Sequence, residues 1–217
     1  MTLRAEKVLV SLGLALLLHP TFQGVAALAS ARSIPPPTWL VTPLDQLPVV
    51  PAAAWVYLSW YPATAAVLFT GRETFRRAYL AYVLAFAVCI ASHLLFPVTI
   101  ERPAVVEAAR VSGRLLAALY AADRPINLFP SFHAAVAAIL WRLRSVSRFM
   151  SQVVSTWTLA LCAACVLTKQ HYALDVIAGL AVGGIAVAVV DRARRWFGQT
   201  AKLSPYAVRS VGSETAE

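Results

Sequence analysis

Two short stretches hold the residues that could do chemistry. N-L-F-P-S-F-H ends on His133 with Ser131 two residues earlier, and H-Y-A-L-D runs from His171 to Asp175. Residues four apart on a helix share a face, so the Asp175 carboxylate can approach the His171 ring. By accepting a ring N–H it would hold His171 in one tautomer and offset the charge that imidazole gains on bonding to an electrophile. His171 therefore reads as a nucleophile, Asp175 as its orienter, and His133 as the acid that protonates a departing oxygen. Arg102 and Lys169 would supply charge for a bound anion, Arg through a fork matching two oxygens and Lys as a point charge. The Ser131 hydroxyl and the free amides of a helix starting there add further donors. Phosphate is the anion that best matches this set. No cluster of His, Asp and Glu has the spacing of a metal site, so neither a metal nor another cofactor is expected.

These polar residues interrupt a chain that is otherwise greasy. Of 217 residues, 59% are hydrophobic and only 13% charged, more apolar surface than one soluble core can hide. Crossing a bilayer as helix takes about 20 mostly apolar residues. Six runs qualify, at 7–29, 52–70, 77–98, 131–149, 152–169 and 171–190, which predicts an all-α bundle of six transmembrane helices. The first run is long for the apolar core of a secretory signal, so it reads as a span rather than a cleaved leader. Within it, His19, Pro20 and Gln23 are expected to face other helices rather than lipid. The proline-rich stretch 33–51 excludes regular helix and predicts a folded surface loop, while 104–122 carries apolar residues at helical spacing and predicts an amphipathic interfacial helix.

The excess of 19 Lys and Arg over 10 Asp and Glu gives a formal charge of +9. A soluble protein with this balance would suggest nucleic acid. Here the cations sit in short clusters between apolar runs, so the expected partners are membrane lipids and no nucleic acid. Arg4 and Lys7, then Arg72, Arg76 and Arg77, then Arg142, Arg144 and Arg148, then Arg192, Arg194 and Arg195 all fall on one side of a six-span chain. The positive-inside rule makes that side cytoplasmic and predicts cytoplasmic termini, an extracytoplasmic active site and a plasma (inner) membrane location.

Other polar residues have simpler readings. Asn127, Asp123 and Arg124 fit a turn and surface charges, with phosphate contact as the alternative; His93 and His19 fit hydrogen bonds to neighbouring helices. Tyr172, Trp39, Trp55, Trp60 and Trp196 read as interfacial anchors. Cys162 and Cys165 form C-A-A-C without a second pair, and with Cys89 they read as small packing residues in apolar runs.

P-S-F-H at 130–133 and H-Y-A-L-D at 171–175 resemble the second and third signature motifs of the type 2 phosphatidic acid phosphatase superfamily, and Arg102–Pro103 resembles the end of the first. The resemblance implies a six-helix membrane domain over 1–200, with a polar, disordered cytoplasmic tail over 201–217. It implies a phosphohistidine on His171, with Asp175 orienting it, His133 as acid, and Arg102 and Ser131 on the phosphate. The substrate would be a lipid-linked phosphate or diphosphate in the outer leaflet, with water or an alcohol as acceptor. Two family cations are absent, their positions being Leu95 and Cys165, and Lys169 is placed to replace one of them. T-K-Q-H-Y-A-L-D, F-P-S-F-H and the segment 43–57 resemble the inositol phosphorylceramide synthase-like branch, which implies phospho-headgroup transfer as the alternative to hydrolysis. A transporter or lipid-binding scaffold would not need His133, His171 and Asp175 together.

Overall fold

The computed structural model describes residues 3–104, 110–143 and 147–203. The described chain is nearly all helical: α1 Leu3–Ser30, α2 Ala53–Leu58, α3 Trp60–Ala65, α4 Arg72–Leu95, α5 Val111–Ala122, α6 Phe132–Arg142, α7 Arg148–Leu167 and α8 Ala173–Leu203. Short 3₁₀ turns lie at Pro43–Gln46 and Ala66–Phe69, and the extended pairing among the described residues is a single bridge between Ile34 and Val98.

Four of these helices are long and apolar enough to cross a membrane: Ala5–Ser30, Arg72–Leu95, Arg148–Leu167 and Ala173–Trp196. These described helices do not confirm the expected count of six. Residues 52–70 form α2, α3 and a 3₁₀ turn rather than one helix. Pro62 lacks the N–H that would bond to the carbonyl four residues earlier, and α2 stops at that residue, Leu58. The fourth predicted span shortens to the eleven residues of α6, which at ~1.5 Å per residue reach roughly half of a bilayer core. Arg144 falls outside the described residues, as do 105–109 of the predicted interfacial helix and 204–217 of the tail; residues 201–203 prolong α8. Of the three residues expected to face other helices, His19 and Pro20 are exposed and Gln23 is half-buried.

The centre of the bundle is α6, packed against α8 with α4 and α7 around it. Every residue from Ala134 to Ile139 is buried. Gly179 and Gly183, four apart on α8, allow the contact: a Cβ at Gly179 would overlap the Ser131 carbonyl oxygen, and one at Gly183 that of Ala135. Leu16 (75% exposed), Leu28 (68%) and Leu159 (72%) point away from the bundle, as lipid-facing residues would.

One end is tied by charge. Arg77 grips Asp191 with two bonds of 2.8 and 2.9 Å, Arg72 meets Glu6, Arg194 meets Glu73, and Lys7 donates to the carbonyls of Leu68 and Thr70. Loops lace the opposite end. Ile34 N–H donates to the Pro97 carbonyl and Thr99 N–H to that of Ile34, joining the 33–51 and 96–104 segments; Ile100 N–H donates to the Pro125 carbonyl, and Val50 N–H to that of Leu167. Leu40, Val98, Ile100, Leu128 and Tyr172 form a small core beneath them.

Candidate active site

The start of α6 is fixed from three directions. Ser131 caps the helix, its hydroxyl accepting from Ala134 N–H at 3.3 Å, while its own N–H donates to the Asp175 carbonyl at 3.0 Å. Nε2 of buried His93 lies 3.2 Å from the carbonyl of Pro130, the residue before the α6 cap, where a bond to a neighbouring helix was expected. The turn between α7 and α8 is equally constrained. After Thr168, Lys169 takes the left-handed conformation (φ 51°), and both Gln170 and His171 donate their backbone N–H to the Cys165 carbonyl. A left-handed residue just past a helix end reverses the chain, and here the reversal delivers His171 to the centre.

The two histidines meet there: His133 Nδ1 lies 3.3 Å from His171 Nε2. His171 Nδ1 sits 3.1 Å from the Leu128 carbonyl and 3.6 Å from Asp175 Oδ2, so the carbonyl is the nearer acceptor. That differs from the spacing argument, which gave the ring N–H to Asp175. The Asp175 side chain, fully buried, instead accepts the Tyr172 N–H at 2.8 Å. Burial pushes the His171 pKa down to about 3, and the Arg102 charge adds to the effect against the Leu128 hydrogen bond. His171 is therefore neutral, with Nδ1–H given to Leu128 and the Nε2 lone pair facing His133.

A small cavity opens on this pair. Gln170, Asp123 and Asn127 supply its other polar lining; Phe22, Ile126, Leu128 and Phe132 supply apolar wall. Gln170 Oε1 accepts from Arg102 Nη2 at 2.6 Å, while Gln170 Nε2 is buried with no partner among the described residues. Arg102 also donates to the Asp123 carbonyl at 2.6 Å, stands 3.8 Å from its carboxylate and lies over the Tyr120 ring. Burial lowers the Arg102 pKa and raises that of Asp123; each charge opposes the other's shift.

A family model described as the PAP2 superfamily matches residues 23–189. The chain belongs to the PAP2 superfamily. Among solved structures it is similar to the crystal structure of LpxE from Aquifex aeolicus, at 17% identity over 64% of this chain and 81% of that one, with a TM-score of 0.47. No curated protein matches.

Of the residues expected at a PAP2 site, His133, His171 and Asp175 come together, and Arg102 joins them through Gln170. Two others do not reach the cavity. Ser131 is fully buried as the cap of α6. Lys169 Nζ donates to the carbonyls of Asp45 and Leu47 at 2.6 and 2.7 Å, fastening the 43–47 turn to the His171 reversal. Of the two positions where the family motif has cations, Leu95 is 85% exposed, and Cys165 is buried among Tyr57, Ala137 and Leu161. No cation lines the cavity among the described residues.

Four site features escaped the spacing argument. Gln170 drew no attention beside His171. Asn127 and Asp123, read first as turn and surface residues with phosphate contact as the alternative, both line the cavity; Asn127 is left-handed (φ 68°) and donates to the Phe22 carbonyl. Trp60 packs on His133 at 4.9 Å between ring centroids rather than anchoring at the interface. Tyr57 Oη lies 2.9 Å from His133 Nε2. Its position in W-V-Y beside Trp55 and Trp60 offered only an aromatic cluster as a signal.

Proposed function

We propose that the chain is an integral-membrane lipid phosphatase that works through a phosphohistidine on His171. The observation that carries this reading is the neutral His171 Nε2, facing His133 Nδ1 at 3.3 Å across a cavity that holds an unpartnered amide donor. A phosphate monoester entering between the rings would displace their mutual contact. His171 Nε2 forms a bond to phosphorus in line with the ester oxygen, the P–O bond breaks, and His133 gives that oxygen its proton. Leu128 and the nearby Asp175 carboxylate stabilise the positive imidazole ring so formed. His133 then takes a proton from water, whose oxygen attacks phosphorus and frees His171 and inorganic phosphate.

Gln170 Nε2 is the donor placed for the equatorial oxygens, and Arg102, bonded to the other end of that amide, polarises it. The exposed apolar faces of the helices support a substrate carried on a lipid that enters from the side. The basic clusters at the opposite end support an active site outside the cytoplasm. Transfer of a phospho-headgroup to an alcohol is the same chemistry with a different second nucleophile.

The test is a panel of phosphorylated lipids offered to detergent-purified protein, with and without alcohol acceptors, scoring free phosphate and new diesters. His171→Ala and His133→Ala should each lose at least ~10³-fold in turnover. Wild-type turnover in His171→Ala would sink the phosphohistidine, and a new diester without free phosphate would replace hydrolysis by transfer.

A further inference from the structure

Two amide side chains of the cavity, each 2% exposed, have an atom without a partner among the described residues: Gln170 Nε2 and Asn127 Oδ1. What their other ends touch fixes which atom is left over. Arg102 Nη2, 2.6 Å from the Gln170 amide, can only donate, so the Gln170 oxygen faces it and the NH₂ remains. The Phe22 carbonyl, 3.2 Å from the Asn127 amide, can only accept, so the Asn127 NH₂ faces it and the oxygen remains. One orphan is a donor and the other an acceptor. Buried polar atoms are seldom left unpaired, and two of opposite kind in one cavity point to a ligand that accepts at one atom and donates at another.

A fully ionised phosphate does not meet both. Its oxygens only accept, which serves Gln170 and sets a negative oxygen against the Asn127 lone pairs. A phosphate that has kept one proton meets both, with P–O⁻ toward Gln170 and P–O–H toward Asn127. The cavity has room for about one water molecule, less than a phosphate fills, so a phosphate that parts the histidine rings comes close to its walls. Asn127 also stands next to Leu128, whose carbonyl lies 3.1 Å from His171 Nδ1. The rest of the lining suits one charge better than two. No Lys or Arg belongs to it among the described residues, and Asp123 adds a carboxylate 3.8 Å from Arg102.

On the reading that this cavity takes the phosphate of a lipid, we infer that Asn127 determines specificity: its Oδ1 accepts the proton of a singly ionised phosphate and selects that form over one with acceptors alone. A site built to receive a hydroxyl rejects the analogue that lacks it, because a buried acceptor is then left unpaired. A retained proton also removes one negative charge that the family cations missing at Leu95 and Cys165 would otherwise offset.

Phosphate and sulfate test this, since both are tetrahedral and similar in size, but at pH 7 phosphate keeps at least one P–O–H and sulfate has none. Full-length protein in detergent is labelled with ¹⁵N-histidine and titrated with sodium phosphate or sodium sulfate at matched ionic strength. The His171 ring signals, identified by their loss in His171→Gln, give both dissociation constants without turnover. Wild type should bind phosphate at least ~10-fold more tightly than sulfate. Asn127→Gly tolerates the left-handed backbone (φ 68°) and removes the oxygen without a change of charge; it should cut that ratio about five-fold. Any space it opens is shared by both anions. Asn127→Asp, which keeps an acceptor and also tolerates this backbone, should retain the preference for phosphate. Equal binding of the two anions by wild type, an unchanged ratio in Asn127→Gly, or no saturable shift with phosphate overturns the inference. Failure of wild type to release phosphate from any lipid would instead overturn the phosphatase reading. The anion ratio, which needs no lipid, would then still decide what Asn127 selects.

Discussion

Gln170 and Lys169 are neighbours in sequence with different targets. The Gln170 amide has one end on Arg102 and a free donor lining the cavity; the Lys169 amine is spent on two carbonyls of the 43–47 turn. Gln170→Met should therefore weaken vanadate inhibition and raise the KM for lipid phosphate by roughly 10- to 100-fold, the loss of one charge-assisted hydrogen bond worth about 1.5–3 kcal/mol. Lys169→Met should leave both constants within about two-fold and cost about 1 kcal/mol of stability, because its amine is partly screened by solvent. Inhibition curves and melting temperatures on the same two variants check the pair, and the opposite pattern would return the phosphate to Lys169. The sequence gives Lys169 a charge at the right level but not its destination, since Asp45 lies 124 residues away and only the folded loop brings it near. His133, His171 and Asp175 were legible because a helix start and a four-residue spacing are local patterns. Tyr57, Asp123 and Asn127 were not, because their importance depends on which distant ring or wall they meet.

At the scale of elements, the distance between the histidines is set by how closely α6 approaches α8. Gly179 and Gly183 leave room for the Ser131 and Ala135 carbonyls, and Ser131 N–H bonds to the Asp175 carbonyl one helical turn before Gly179. Gly179→Ala places a methyl against backbone that cannot rotate aside, so α6 must move and His133 moves with it. The expected result is a loss of about 1–3 kcal/mol of stability and at least a ten-fold drop in kcat. Gly184→Ala is the control, since nothing stands within 4 Å of its Cβ position and a mid-helix alanine gains about 1 kcal/mol. Equal effects of the two substitutions would refute close approach as the cause. Long helices were legible here because α1, α4, α7 and α8 are uninterrupted apolar runs, whereas α2, α3 and α6 were over-extended. Hydropathy alone could not register the bond that Pro62 removes, nor that α6 is buried by protein along Ala134–Ile139 instead of by lipid.

Across the whole molecule, charge and chemistry separate. Arg72, Arg77 and Arg194 meet Glu6, Asp191 and Glu73 at one end, while the histidine pair, Arg102 and the laced loops occupy the other. Four long apolar helices connect the ends, so a bilayer around them leaves the two ends on opposite sides. The basic end should remain with the cytoplasm, where anionic lipid and the membrane potential hold Lys and Arg. Ser33, exposed in the loop after α1, marks the active-site end; exposed Gly71, before α4, marks the basic end. A membrane-impermeant maleimide applied to intact cells should therefore label Ser33→Cys, and label Gly71→Cys only after permeabilisation, both above the background of Cys89, Cys162 and Cys165. Reversal of that pattern would put the histidines in the cytoplasm and require the substrate lipid to lie in the inner leaflet. Equal labelling before permeabilisation would mean that no bilayer separates the two ends, and lateral entry of a lipid phosphate would fail with it.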